Sequence, residues 1–349
     1  MPHSLLTIVG ARPQFIKAAL LSEALAKRKE LKHQLIHTGQ HYDFGLSQQF
    51  FDEFDLETPV ENLGVGGMSH VGFLSEAMVR LEPVFERAAP DAVIVIGDTN
   101  STVAGAMTAA KMGVPLIHIE AGLRSRDPYS PEEVNRVVTD RVSRLRLAPT
   151  PAALDTLIAE GLEEGSVWTG DLALDATLKL REALEGSPPS PAAGKAIVTL
   201  HRQENTDKRA DLFAALEAVN TAAGSLDIVC PMHPRFAKAL EAHGLTEHSV
   251  VKRMQVSEPW GYRAMQRALM DCALIITDSG GLQREAAFHQ TKCVTVRPLT
   301  EWPETIDAGW NRLASTPDWI TPERPVTEFG AGQAREAIAD SIEAFLKTL

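Results

Sequence analysis

Asp98 in VIVIGDTNS, Glu120 in LIHIEAGLRS and the pair Glu132–Glu133 in SPEEVNR crowd into one short stretch of the chain. The first two each follow a short apolar run, 93–96 and 116–119, of the kind that reads as a buried parallel strand. A carboxylate just past the carboxyl end of such a strand lies at the lip of the sheet, where open α/β sheets bind ligands. Carboxylates that share a cleft can have their pKa values pushed apart, which suits one for donating and another for accepting a proton. A plainer alternative makes Asp98 the cap of a helix starting near Ser101 and Glu120 an ordinary loop carboxylate. It accounts for one such residue more easily than for all of them.

A second set of residues suits an anion. TDSGGLQREAAF, residues 277–288, reads as a strand end, a turn with two glycines and then a helix. Such a turn offers free backbone N–H groups and the positive end of the helix to a phosphate. Gly280 and Gly281 let the backbone come close to a diphosphate, and Ser279 adds a hydroxyl. Glu285, about a turn further on, can accept from ribose hydroxyls. The alternative is an ordinary helix start with Asp278 or Ser279 as N-cap, and the two readings are compatible. GARPQFIKAA, residues 10–19, is another strand–turn–helix, with Arg12 in the turn and Lys17 beyond it. Arg can grip phosphate in a bidentate way, and Lys acts as a point charge. It is neither a Walker A loop nor GxGxxG. In TLHRQENTD, His201 follows a strand as Asp98 and Glu120 do, where it can exchange a proton or hold a leaving phosphate. MHPR supplies His233 and Arg235.

Other chemistries find no support. The histidines of HTGQHYD, His37 and His41, span a strand end and a glycine loop rather than a helix face, which argues against metal. There is no DxD clamp, no GxSxG elbow, and no cysteine with a plausible partner. The expectation is a site with no metal and no cofactor. Cys230, Cys272 and Cys293 are widely spaced within apolar stretches and read as buried free thiols of a reducing compartment. The N-terminal apolar run is too short for a signal sequence and reads as a first strand. No stretch approaches the roughly 18 apolar residues that span a bilayer, so the expectation is a cytoplasmic protein with no membrane insertion.

The elements that must position these residues follow one rhythm. Apolar runs at 5–9, 34–38, 92–96, 116–119 and 145–148 alternate with helical patterns at 13–29, 68–87 and 101–112. After the break GSPPSPAAGK (186–195), a linker or long surface loop, the alternation resumes. Strands are expected at 196–200, 227–230, 250–252, 273–277 and 293–296, and helices at 211–223, 235–242, 261–270 and 281–288. This is the βαβ pattern of a parallel sheet covered by helices on both faces. The chain has 349 residues, 44% of them apolar, enough for two domains with real cores. The expected class is α/β, two Rossmann-like domains with a ligand cleft between them: 1–170, carrying the carboxylates, and 171–332, carrying the anion-binding helix. A last helix, 333–349, belongs to the second domain or crosses back to the first. A net charge of −12 argues against a nucleic-acid partner.

These motifs, GDT, EAGLRS, PEEVNR, HRQEN and DSGGLQREA, together resemble the non-hydrolysing UDP-N-acetylglucosamine 2-epimerases. The resemblance runs from GARPQFIK to TEWPETIDAGWN, nearly the whole chain. It implies a GT-B-like architecture, a UDP-sugar substrate, work without a metal, and a homodimer. It also implies interconversion of UDP-GlcNAc and UDP-ManNAc by elimination and re-addition of UDP. By the resemblance Asp98, Glu120, Glu132 and His201 fall on catalytic positions, with Glu132 preferred to Glu133 by its place after Pro131. Arg12 and Lys17 fall on the basic turn, and Ser279, Gly280 and Glu285 on the UDP-binding helix. Arg124, Arg136, His233, Arg235 and Gly281 complete the candidate binding set. Ala11 stands where the best-known members more often carry threonine, and Gln14 where they carry glutamate. HTGQHYD together with Trp302 and Trp310 resembles a branch that includes UDP-2,3-diacetamido-glucuronate 2-epimerases. A hydrolysing epimerase, a GT-B glycosyltransferase and a nucleotide-sugar sensor are the competing readings.

Overall fold

Every residue of Ala92–Ile96, Leu116–Ile119, Leu145–Ala148, Ala196–Thr199 and Leu274–Thr277 is buried. Strands buried on both faces need helices on both sides, and a parallel sheet supplies that arrangement. The computed structural model describes residues 2–39, 58–127 and 129–349, and Arg12 by its backbone alone. The chain divides into two compact units, one running to Ala176 and including Glu328–Leu349, the other Thr177–Thr327.

The first unit holds a seven-stranded parallel sheet. Its strands are β1 (His3–Val9), β2 (Leu31–His37), β3 (Glu61–Asn62), β4 (Ala92–Ile96), β5 (Leu116–Ile119), β6 (Leu145–Ala148) and β7 (Ser166–Trp168), in the order β3-β2-β1-β4-β5-β6-β7. Winding therefore reverses between β1 and β4, which opens a crevice at their carboxyl ends. The helices are α1 (Arg12–Ala26), α2 (His70–Ala88), α3 (Asn100–Met112), α4 (Pro131–Val142) and α5 (Pro151–Ala159), followed by α6 (Leu172–Leu184), within which the two units divide. The C-terminal helix Ala334–Leu346 is anchored in this unit. Asp175 accepts the N–H groups of Ala334 and Arg335 at 3.1 and 2.9 Å, and Arg28 of α1 bonds Glu336 and Asp340.

The second unit repeats the plan. β8 (Ala196–Thr199), β9 (Ile228–Pro231), β10 (Met254–Ser257), β11 (Leu274–Thr277), β12 (Cys293–Thr295) and β13 (Asn311–Leu313) run in the order β10-β9-β8-β11-β12-β13. Its winding reverses between β8 and β11. Among its helices are α7 (Gln203–Thr206), α8 (Arg209–Ala223), α9 (Pro234–Ala242), α10 (Ser249–Lys252), α11 (Tyr262–Leu269) and α12 (Gly280–Phe288).

One local expectation is corrected. Residues 250–252 are helical, in α10, and the strand is β10 just after it. The His248 ring accepts the Val250 N–H and caps the short helix, and a run as short as Val-Val-Lys fits either state by pattern alone. The proline-rich stretch 186–195 is a surface loop within the second unit. It is tied down where Ser190 and Gly194 donate to Asp271.

Candidate active site

The turn after β1 is built around close approach. A Cβ on Gly10 would lie 2.0 Å from Ser101 Oγ and 2.3 Å from Thr38 Oγ1, so only glycine fits. The Gln14 amide then fastens the two strands of the switch point. Its oxygen accepts Gly10 and Ala11 N–H at 2.8 and 2.9 Å, and its nitrogen donates to the Ile96 carbonyl at 2.8 Å and to Thr99 and Thr102 hydroxyls at 3.0 Å. A glutamate at this position, when ionised, would have no hydrogen to offer Ile96. Arg12 opens α1, and Lys17 follows along the same helix.

Lys17 reaches Glu120, the first residue after β5, in a direct ion pair. Glu120 is buried and left-handed, with φ of 71°. A non-glycine residue in that region is strained, and such strain gathers at functional sites. Glu120 Oε2 lies against the turn after β4: a Cβ on Gly97 would sit 3.5 Å from it. Asp98 is the next residue in that turn. Its carboxylate is 31% exposed and is gripped by Arg136 of α4, while its carbonyl accepts from Asn135 at 2.9 Å. Asp98 is not a helix cap, since Thr99 caps α3.

Helix α4 organises this edge. Glu133, Arg136 and Asp140 follow one another at helical spacing and bind different loops. Glu133 accepts the Ser125 N–H and hydroxyl at 2.7 and 3.0 Å and the Arg126 N–H at 3.1 Å, and it pairs with Arg136. Burial pushes its carboxyl up, but these donors and Arg136 outweigh that and hold it below the usual range. Glu132 is half-buried and accepts the Ser130 hydroxyl at 2.9 Å.

Beneath the turns lies a buried hub. The His118 ring, on β5, faces Asp140 through Nδ1 at 2.6 Å and the Gly97 carbonyl through Nε2 at 2.8 Å. Asp140 also accepts Gly122 N–H at 3.1 Å and Arg124 at 2.7 Å, and Arg124 forks onto Glu160. Burial raises the Asp140 carboxyl, yet His118 and Arg124 bring it below its ordinary value. One aspartate thus ties the turn bearing Asp98, through His118, to the turn after Glu120.

In the second unit His201 follows β8 and Asp278 follows β11, at that sheet's own switch point. Asp278 is fully buried. It accepts the backbone N–H of His201 at 3.1 and 3.0 Å, that of Arg202 at 2.9 Å and the Asn205 amide at 3.0 Å, and it faces His201 Nδ1 at 3.0 Å. Burial raises its carboxyl, and His201 with these donors takes it below the ordinary value. The His201 ring is 35% exposed and lies 5.3 Å from that of His233. Ser279 caps α12, and Gly280 and Gly281 form its first turn. Glu285 accepts from Gln266 at 2.7 Å. His233 caps α9, and Arg235 pairs with Asp207 and lines a cavity of about 540 Å³ with Lys238 and His243.

A family model described as UDP-N-acetylglucosamine 2-epimerase matches residues 23–343, most of the chain. The chain belongs to the UDP-N-acetylglucosamine 2-epimerase family. It is 38% identical to the UDP-2,3-diacetamido-2,3-dideoxy-D-glucuronate 2-epimerase of Pseudomonas aeruginosa, over 96% of this chain and 98% of that one. It is 36% identical to the UDP-N-acetylglucosamine 2-epimerase of Methanocaldococcus jannaschii, over 88% and 87%. The crystal structure of M. jannaschii UDP-GlcNAc 2-epimerase in complex with UDP-GlcNAc and UDP matches with a TM-score of 0.87 at 32% identity, covering 99% of this chain and 100% of that one.

Within this 2-epimerase family member the structure joins Lys17 to Glu120, Asp98 to Arg136, and His201 to His233. Arg124 and Arg136 enter the candidate set as ligand-binding cations. The structure spends both on the protein's own carboxylates, because a buried guanidinium needs acceptors at hand. Of HTGQHYD, His37 ends β2 with its ring 5.1 Å from Phe15, and residues 40–43, His41 among them, lie outside the described residues. The cysteines are free, and burial pushes the Cys230 and Cys272 thiols up to about 12. Sequence reasoning passed over His118 and Asp140, read Asp278 only as a helix cap, and named Glu133 but preferred Glu132. Asp278 did carry a signal, since it follows a strand just as His201 does.

Proposed function

We propose that this chain is a non-hydrolysing UDP-sugar 2-epimerase that interconverts UDP-GlcNAc and UDP-ManNAc. Asp98 and Glu120 carry the reading. They leave adjacent strands β4 and β5, and each is held by its own cation, Arg136 or Lys17.

The C2 proton of the sugar is not next to a carbonyl, so direct abstraction is hard. Loosening the C1–O bond to UDP creates positive character at C1 and acidifies that proton. Elimination then breaks C1–O and C2–H. UDP leaves with the electron pair of the first bond, a carboxylate takes the proton, and C1=C2 forms. Return of a proton to C2 from the opposite face and of UDP oxygen to C1 completes the epimerisation. Inversion therefore calls for an acid and a base on opposite faces, and Asp98, Glu120 and Glu132 are our candidates. The start of α12 at Ser279–Gly281 would receive the diphosphate, with Arg12 as a further cation. His201, oriented by Asp278, would serve the leaving group as donor. Fixed donors aimed at developing charge are worth about 2.7–4 kcal/mol of barrier each. We further read the enzyme as cytoplasmic and homodimeric, on the family resemblance.

The deciding experiment is turnover in D₂O. Deuterium should appear at C2 of the product, and epimerisation with full retention of the original hydrogen would sink the reading. Stoichiometric release of free UDP from UDP-sugar alone would favour a hydrolysing epimerase. A second substrate, UDP-2,3-diacetamido-glucuronate, is favoured by the 38% identity to the P. aeruginosa enzyme over nearly the full length of both chains. Comparing kcat/KM for the two UDP-sugars decides between them.

A further inference from the structure

Gln266, on α11, is fully buried, and a buried primary amide must satisfy both of its ends. Its Nε2 lies 2.7 Å from Glu285 Oε2, and its Oε1 lies 2.8 Å from His289 Nε2. The orientation follows from the partners. An ionised carboxylate only accepts, so the amide nitrogen must face Glu285, and the amide oxygen then faces the ring. His289 therefore donates from Nε2. Its Nδ1 is buried with no hydrogen-bond partner among the described residues. Burial, with a lesser push from Arg181, takes His289 down to about 4, so the ring is neutral near pH 7 and Nδ1 carries no proton. Donation runs one way, from His289 to Gln266 and from Gln266 to Glu285.

We infer that Gln266, itself held by His289, is a positioning residue that sets the Glu285 carboxylate for the ribose hydroxyls of a uridine nucleotide. The inference rests on the UDP reading of the Ser279–Glu285 segment. With Oε2 anchored by Gln266, Glu285 presents Oε1 in a set direction. That oxygen lies towards the first turn of α12, where a Cβ on Gly281 would be 3.9 Å away. A carboxylate already oriented by this bond needs less ordering when a ligand binds, which favours affinity. Neither Gln266 nor His289 needs to touch the nucleotide.

The test is calorimetric titration of the full chain with UDP, 2′-deoxy-UDP and 3′-deoxy-UDP. Wild type should prefer UDP to at least one deoxy analogue by on the order of tenfold. Glu285→Ala should bring that ratio close to one, and Gln266→Met should lower it most of the way with Glu285 still in place. The double variant should discriminate no worse than Glu285→Ala alone. A wild type without preference would remove the ribose reading of Glu285 and the inference with it. A wild type and Glu285→Ala that behave as expected, beside a Gln266→Met that keeps the full ratio, would overturn the inference and leave that reading standing. If Gln266→Met does not fold, His289→Leu, which releases the amide to rotate, must also lower the ratio. An unchanged ratio there overturns the inference.

Discussion

Lys17 and Glu120, 103 residues apart in the chain, form an ion pair in which each side chain is only 9% exposed. The lysine comes from α1 and the glutamate from the strained residue after β5, so the contact spans the reversal in the winding of the first sheet. A pair this buried attracts strongly in a low dielectric, but it also leaves an expensive charge behind when one partner goes.

Lys17→Met should therefore lower stability by about 3–5 kcal/mol, because it breaks a buried ion pair by removing the cation. It should also lower turnover far more than a surface lysine change would. Chemical denaturation and the epimerase assay check the two effects. A variant with wild-type stability would show that the pair adds nothing to the stability of the fold.

Asp98→Asn and Glu120→Gln should each lose turnover and keep UDP binding. Both changes nearly preserve shape while removing the ability to take a proton. Titration with UDP beside the turnover assay separates the two properties. A fully active variant at either position would remove that carboxylate from the acid–base set.

Asp140→Ala tests the hub. It strips His118, Arg124 and the Gly122 N–H of one shared acceptor, and a destabilisation of about 3–5 kcal/mol is expected from breaking a buried charged pair. Because Asp140 holds the turns around Asp98 and Glu120 without being one of them, residual turnover should recover further in Asp140→Asn, which keeps an oxygen acceptor. Equal losses in the two variants would argue against positioning.

Asp278→Asn carries a pH signature. The native carboxyl lies below its ordinary value of 3.8, so the unfolded chain takes up the proton first as pH falls. The stability contributed by the ionised group is complete above 3.8 and is lost as pH falls through the lower native value. The gap between wild type and Asp278→Asn should be full at pH 7 and shrink at pH 3, as measured by denaturant titration. A gap independent of pH would mean that the variant loses packing rather than charge.

Strands buried on both faces were legible as apolar runs, and the structure has them at Ala92–Ile96 and Leu116–Ile119. The short strands Ser166–Trp168 and Asn311–Leu313 were not, because three mixed residues carry no period to read. At the site, the residues at strand ends were legible one by one. Their pairings were not. Arg124 and Arg136 read as ligand-binding cations and Asp278 as a helix cap, because Glu160, Asp98 and His201, their partners 36, 38 and 77 residues away, leave no local trace.

By itself, then, the sequence determined the α/β rhythm and the chemical types at the strand ends. Both depend on local rules of burial, turn geometry and helix starts. The tertiary structure alone decided the order of strands and the partners of the charges: Lys17 for Glu120, Arg136 for Asp98, Asp278 for His201 and Gln266 for Glu285. A charge taken out of water is tolerated only where folding brings a partner to it, and parallel sheets bring partners together from distant parts of the chain.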